Sequence, residues 1–227
     1  MIWYSKCIYC NHNVYHLNDG MLKCSVCKKK YSPQRVNKIL TLLDAFCKDE
    51  SALHLAKRLK LSYVCVRGYF DKFRHICTKV CEDEYIIFRN KTCEYEEYFY
   101  LQRSKRKENK AIFDTQIFLS FDYEGHLYNI LMPSLKKYKS EFLQDNLEDI
   151  YANECTKLQK DIDIIKMHKH ENNIVKFWNY FEGSILHYNG VSYEYFPLYL
   201  KEIEFKYNHS NEQQYKLIKD YFFKRSS

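Results

Sequence analysis

Two CxxC pairs open the chain, Cys7-Ile8-Tyr9-Cys10 and Cys24-Ser25-Val26-Cys27, with thirteen residues between them. Each pair can set two thiolates on one tight turn, and two such knuckles facing each other close a tetrahedral four-sulfur site of the kind Zn²⁺ takes. Asn18-Asp19-Gly20, between the pairs, carries turn chemistry. The spacing therefore predicts a hairpin between the knuckles and a zinc ribbon over residues 1–33. A module of about thirty residues buries too little apolar surface to fold unaided, and metal binding then supplies the folding free energy.

The expected redox setting favours ligands over disulfides. Met1-Ile2-Trp3-Tyr4-Ser5-Lys6 runs directly into the first knuckle and leaves no room for a signal peptide. The expected compartment is the reducing cytoplasm, where paired CxxC motifs are metal sites. No run approaches the ~20 apolar residues of a membrane span, so no membrane partner is expected. The other six of the ten cysteines, Cys47, Cys65, Cys77, Cys81, Cys93 and Cys155, have no matching second set and read as ordinary thiols. A chain of 227 residues that is 46% hydrophobic and 17% aromatic has the material for one or two folded domains rather than a disordered polymer. No P-loop, dinucleotide fingerprint or serine nucleophile elbow is present.

The net charge of +7 is unevenly spread. Residues 1–81 hold fifteen Lys and Arg against five Asp and Glu, a net +10, while the rest hold twenty-one against twenty-four, a net −3. A basic front on a near-neutral body is the footprint of a polyanion met at one end. The elements that must present this charge can be read in order. Ser32-Pro33 suits a helix start, and Val36, Ile39, Leu40, Leu43 and Phe46 recur at helical spacing to about Cys47. A short helix follows over 51–59, with Leu55, Ala56 and Leu59 inward. Lys60-Leu61-Ser62 makes a tight turn, and Ser62 caps a helix from 63 to about 81 that turns Val66, Phe70 and Phe73 to one side. A small Ala, a three-residue turn and a capped second helix meet the requirements of a helix-turn-helix over 34–81, against the plainer reading of a helical hairpin. Its second helix would enter a major groove. Ser62, Tyr63, Arg67 and Lys72 are the candidate DNA contacts, with Lys57 and Arg58 for phosphates.

Beyond Cys81 the texture changes. Residues 84–89 and 93–101 are rich in Tyr, Ile and Phe and favour strands, and 103–110 read as a basic loop. Residues 112–121 and 126–132 flank Asp122-Tyr123-Glu124-Gly125 as a hairpin. The stretch 135–170 reads as helical or irregular, with a weak strand at 162–167; His168 and His170 lack a second ligand cluster and read as solvated. Ile174, Phe177, Trp178 and Phe181 make a helical stripe, and 196–207 a further aromatic helix.

Three of these stretches carry a family likeness: Asn172-Asn173-Ile174-Val175-Lys176-Phe177-Trp178; Tyr188-Asn189-Gly190-Val191-Ser192 followed by Leu198-Tyr199-Leu200-Lys201-Glu202-Ile203-Glu204-Phe205-Lys206-Tyr207-Asn208; and Glu94-Tyr95-Glu96-Glu97-Tyr98-Phe99. They resemble, in turn, the Asn-x-Ile-Glu-x-Phe-Trp signature, the C-terminal Gly-(Val/Ile)-Ser and Leu-Lys-Glu-x-Glu-Phe-Arg-Tyr-Asn stretch, and the Glu-x-Asp-Glu core opening of bacterial insertion-sequence transposases with a DDE-type core. The likeness covers nearly the whole chain and is densest at 172–208. It implies a multidomain α+β and α/β architecture: zinc ribbon, helix-turn-helix segment, then a shortened RNase H-like mixed sheet with C-terminal helices over 82–227. It further implies double-stranded DNA of transposon ends as partner, a bacterial cytoplasmic location and work as a homo-oligomer.

DDE chemistry needs three carboxylates holding two Mg²⁺ about 4 Å apart around a phosphodiester, one metal activating the nucleophile and the other stabilising the leaving oxygen. By the resemblance, the first acid falls on Glu96. The second belongs to a Ser/Thr-Asp-x-Trp segment that has no counterpart between Pro133 and Asn172, Asp161 and Asp163 being the nearest substitutes. At the third position stands Val175, which cannot bind a metal, and a family Lys corresponds to Glu182. Some relatives use Asn in place of an acid, so Asn172 or Asn173 remains, and Glu96 and Asn173 are the catalytic candidates.

Together these features imply a DNA-binding transposase-family protein whose two-metal centre is degenerate and whose strand transfer is lost or weak. Two alternatives stand beside it. One is an active DDE transposase using Glu96 with non-standard partners and Mg²⁺; the other is a zinc-ribbon adaptor of the transcription machinery. For Glu94, Glu96 and Glu97 the competing reading is a solvated strand edge.

Overall fold

The computed structural model describes residues 5–102, 111–134, 172–188 and 191–224. They form a mixed α/β protein with two three-stranded antiparallel sheets and, among the described residues, six α-helices. The chain divides into two compact units, Met1–Val80 with His209–Ser227, and Cys81–Asn208.

The first unit begins with a small sheet in the order β1 (Val14–His16), β2 (Leu22–Cys24), β3 (Lys30–Tyr31). The hairpin expected between the knuckles is β1–β2, with Val14 opposite Cys24 and His16 opposite Leu22. Its turn is set by Asp19, whose Oδ1 accepts the Met21 N–H at 3.1 Å, and by Gly20 at φ +74°, where a side chain would be strained. Helix α1 (Pro33–Cys47) starts as its sequence dictates: Ser32 accepts the Arg35 N–H and proline fills the first turn. Helix α2 (Ala52–Leu59) is capped by Ser51 and stops at Lys60, which adopts the left-handed conformation at φ +53°. Ser62 then caps α3 (Tyr63–Phe88), accepting the Cys65 N–H at 3.2 Å. Val66, Phe70 and Phe73 are buried on the inner side of α3, and the Phe46 ring meets Phe70 and Phe73 edge-on at 5.2 and 5.5 Å.

Two elements depart from the expectation. Residues 84–89 are not a strand, because α3 continues through Phe88. No proline interrupts it, and Tyr85 stacks on Tyr128 at 4.2 Å, so the packing of Tyr85 overrides its β-propensity while Ile86 and Ile87 stay exposed. The last helix (Asn211–Lys224), here α6, carries little apolar signal, burying only Gln214, Ile218 and Phe223. It belongs to the first unit, where Phe222 meets Phe73 at 5.7 Å and Phe223 meets Tyr9 at 5.8 Å.

The second unit contains a meander in the order β4 (Glu94–Tyr100), β5 (Gln116–Tyr123), β6 (His126–Leu131). Its tight turn places Glu124 and Gly125 both at positive φ, +55° and +96°, the pair that suits a two-residue hairpin. The strand expected from 112 starts at Gln116, after a 3₁₀ turn at Ala111–Asp114. Helices α4 (Asn173–Ile185) and α5 (Phe196–Asn208) pack their apolar stripes with the sheet around Phe118, Leu127, Phe177 and Phe181, all with no accessible surface. Within that core the Trp178 indole N–H donates to Ser120 Oγ at 2.9 Å, and Ser120 donates to Asn129 Oδ1 at 2.6 Å.

Among the described residues β6 is an edge of its sheet, and side chains of α5 bond to it. Asn208 accepts the Leu127 N–H at 3.0 Å and donates to its carbonyl at 2.7 Å. One turn earlier Glu204 accepts both the backbone and the side-chain N–H of Asn129, at 2.8 and 2.9 Å. Lys201 closes the arrangement at 3.0 Å from Glu204. Burial pushes the Glu204 carboxyl up, and Lys201 and Asn129 oppose that shift.

Candidate functional site

The four cysteines singled out by spacing meet in space. Their sulfurs all lie within 4.8 Å of one another, with Cys7 and Cys27 at 3.7 Å and Cys10 and Cys24 at 3.4 Å. A tetrahedral zinc with bonds of about 2.3 Å asks for sulfurs roughly 3.8 Å apart, so the donor set fits that ion. The two knuckles are built alike. In each, the first cysteine's N–H reaches the carbonyl five residues on, Cys7 to His12 at 2.7 Å and Cys24 to Lys29 at 3.1 Å. The residue after each second cysteine, Asn11 or Lys28, takes the left-handed conformation at φ 60° and 59°.

Backbone amides point at the sulfurs. Tyr9 and Cys10 donate to Cys7, and Val26 and Cys27 to Cys24. His12 and Lys29 donate to Cys10 and Cys27. Such amides favour the thiolate that a metal requires. The protons divide unevenly among the four. Cys10 is lowered to about 6, chiefly by the His12 amide, whereas burial pushes Cys27 up to about 12 and raises Cys7. At Cys24 burial works upward, and the Val26 and Cys27 amides outweigh it. Crowded thiols cannot all ionise without a cation among them.

The six predicted polar contacts of the helical segment lie on exposed surface: Lys57 and Arg58 on α2, Ser62 in the turn, and Tyr63, Arg67 and Lys72 on α3. Their availability differs. Arg58 forks onto Glu50, Nε to Oε1 at 3.0 Å and Nη2 to Oε2 at 2.7 Å, which holds the Glu50 carboxyl below its ordinary range. Ser62 spends its oxygen on the cap. Arg67 approaches Asp71 only at 4.0 Å, and Lys72 lies 5.3 Å over the Tyr69 ring. Sequence reasoning passed over two neighbours, Val64 and Gly68, which are exposed on the same helix.

The acidic candidates lie in the second unit. Glu96 is half-buried on β4, opposite Ser120, and accepts a hydrogen bond from Asn172 Nδ2 at 3.2 Å. Asn172 also caps α4, accepting the Val175 N–H at 2.8 Å. Asn173 accepts from the Tyr207 hydroxyl at 2.8 Å, while its Nδ2 has no partner among the described residues. Val175 is buried in the aromatic core at 2% exposure, and Glu182 accepts from Tyr98 at 2.7 Å. Asp161, Asp163, His168 and His170 lie outside the described residues. Among the described residues the four cysteines are the one group of three or more Cys, His, Asp or Glu side chains placed to hold a metal. No described helix is long and apolar enough to cross a membrane.

Comparison with known proteins adds one likeness. The chain is 29% identical over 73 residues, 32% of its length, to an uncharacterized transposase-like protein of Haemophilus influenzae. It covers 59% of that relative's length. The likeness is partial. No protein-family model and no solved structure matches.

Proposed function

We propose that this chain is a DNA-binding protein of the transposase family, acting on duplex DNA at transposon ends in the bacterial cytoplasm. The zinc ribbon of residues 1–33, held by Cys7, Cys10, Cys24 and Cys27, and the helix-turn-helix of 34–81 make the DNA-binding part. Residues 82–208 of the expected 82–227 supply a shortened RNase H-like body, the last helix belonging to the first unit, and the active form is a homo-oligomer. The carrying observation is the pairing of a four-sulfur cluster with two capped helices whose outer surface is basic and free of the core. The relative's transposase-like description supports the same reading.

In this reading the ribbon and α2 meet phosphates, chiefly through Lys57, while Tyr63, Arg67 and Lys72 on α3 face the major groove. Arg58 enters only by leaving Glu50. The two-metal centre is degenerate: Glu96 is bonded to an amide, and the third acid is replaced by the buried Val175. Loss of one ligand from such a site costs orders of magnitude in rate, since positioning and charge neutralisation supply most of the catalysis. Strand transfer is therefore lost or weak, and the protein acts by occupying transposon ends.

The test is a terminal-repeat duplex incubated with the full chain, Zn²⁺ and Mg²⁺. Salt-sensitive binding without nicking is expected. Mg²⁺-dependent nicking abolished by Glu96→Gln would show an active enzyme and overturn the loss of catalysis. Weak duplex affinity with no salt dependence would favour a zinc-ribbon adaptor, because phosphate contacts demand counterion release.

A further inference from the structure

The outer surface of α3 carries two residues that the fold does not explain. Val64 is 79% exposed, above every other large apolar side chain among the described residues. One helical turn on, Gly68 is exposed too, and a Cβ built there would meet nothing within 4 Å. Its φ lies outside the left-handed region, so the backbone does not require glycine. A glycine inside a helix weakens it relative to alanine, and no packing reason for one here exists among the described residues. The surroundings are cationic: Lys57, Lys60, Arg67 and Lys72 are exposed on α2, its turn and α3. The one acid of this stretch, Asp71, is bonded to Arg74 at 2.9 Å.

A bare apolar side chain and a bare backbone among cations match the floor of a major groove. There the thymine C5-methyl is the apolar feature, and the flanking phosphates are anionic. Resting on the DNA-binding reading above, we infer that Val64 and Gly68 are specificity-determining residues. Val64 packs on a thymine methyl, and Gly68 lets the α3 backbone descend to the base edges. A second copy of the chain is the poorer occupant, since two such surfaces would bring like charges together.

The experiment uses the full-length, zinc-loaded chain and a duplex selected from a randomised pool. Each thymine is then replaced by uracil, which pairs identically and lacks the methyl. Wild type should lose about fourfold in affinity at one or two positions, the worth of one buried methyl group. Val64→Ser should erase that uracil penalty while keeping the salt dependence, and Val64→Ile should retain it. Gly68→Gln should weaken every duplex roughly tenfold, with helicity by circular dichroism unchanged. A uracil scan without effect, an equal penalty in Val64→Ser, or wild-type binding by Gly68→Gln overturns the inference while leaving salt-dependent binding intact. Absence of any salt-dependent duplex binding instead defeats the underlying reading, and the inference with it. Self-association abolished by Val64→Ser would assign the patch to a second copy and also overturn it.

Discussion

The ribbon and the β4–β6 body meet the same demand by opposite means. The ribbon has strands of three, three and two residues and little beyond Leu22, Ile8 and Tyr31 to bury, and its four thiols are placed where a shared cation could supply what packing does not. The body fills its interior with aromatic rings and satisfies an exposed sheet edge with Glu204 and Asn208. One region gathers four thiols that could hold a metal, and the other is held by packing plus a largely sheltered charge pair. The chemistry divides the same way. In the ribbon four sulfurs converge as a metal could use them; in the body Glu96 accepts from the Asn172 amide, and Val175 lies in the aromatic core.

The strongest way to break this contrast is to remove the metal. Structural zinc contributes on the order of 10–16 kcal/mol at neutral pH. Chelation, or Cys24→Ser, should abolish amide-exchange protection in β1–β3 while α4 and α5 keep theirs. Equal loss in both regions would erase the distinction. The pH dependence has a definite sign. Cys27 sits near 12 and Cys7 is raised, so thiols must give up protons as the metal enters, and zinc affinity should fall steadily on acidification.

The second break targets the body. Glu204→Ala would leave the buried Asn129 amides without their acceptor, at a cost of about 1–3 kcal/mol, read as a drop in the body's unfolding midpoint, while Lys201 keeps Glu82 and the Tyr128 ring nearby. Zinc stoichiometry should not change. A smaller effect sharpens the comparison from the helical segment: Gly68→Ala should raise stability by about 0.5–1 kcal/mol in denaturant titration while lowering duplex affinity. Smallest is Glu50→Gln, which releases Arg58 and should lower the unfolding midpoint only slightly, because the pair is exposed and screened by solvent.

Local chemistry was legible in the sequence wherever it was contiguous. The CxxC spacing, the caps at Ser32 and Ser62, and the Gly125 turn each encode their geometry within a few residues. What escaped depends on distant partners. Tyr85, Ile86 and Ile87 look like strand residues until Tyr128 stacks on Tyr85. Helix α6 shows its purpose only when Phe222 and Phe223 meet Phe73 and Tyr9. Glu204 has the composition of a surface acid, and its burial makes sense only with the Asn129 amides and Lys201 that meet it. The exposure of Val64 and Gly68 on α3 is likewise set by the fold and not by residue type.

The most direct measurement is duplex affinity of the zinc-loaded chain against salt concentration, repeated after chelation. Affinity should fall linearly on a double-logarithmic plot and collapse once the metal is withdrawn. Binding that ignores salt, or that survives complete removal of zinc unchanged, would contradict that expectation.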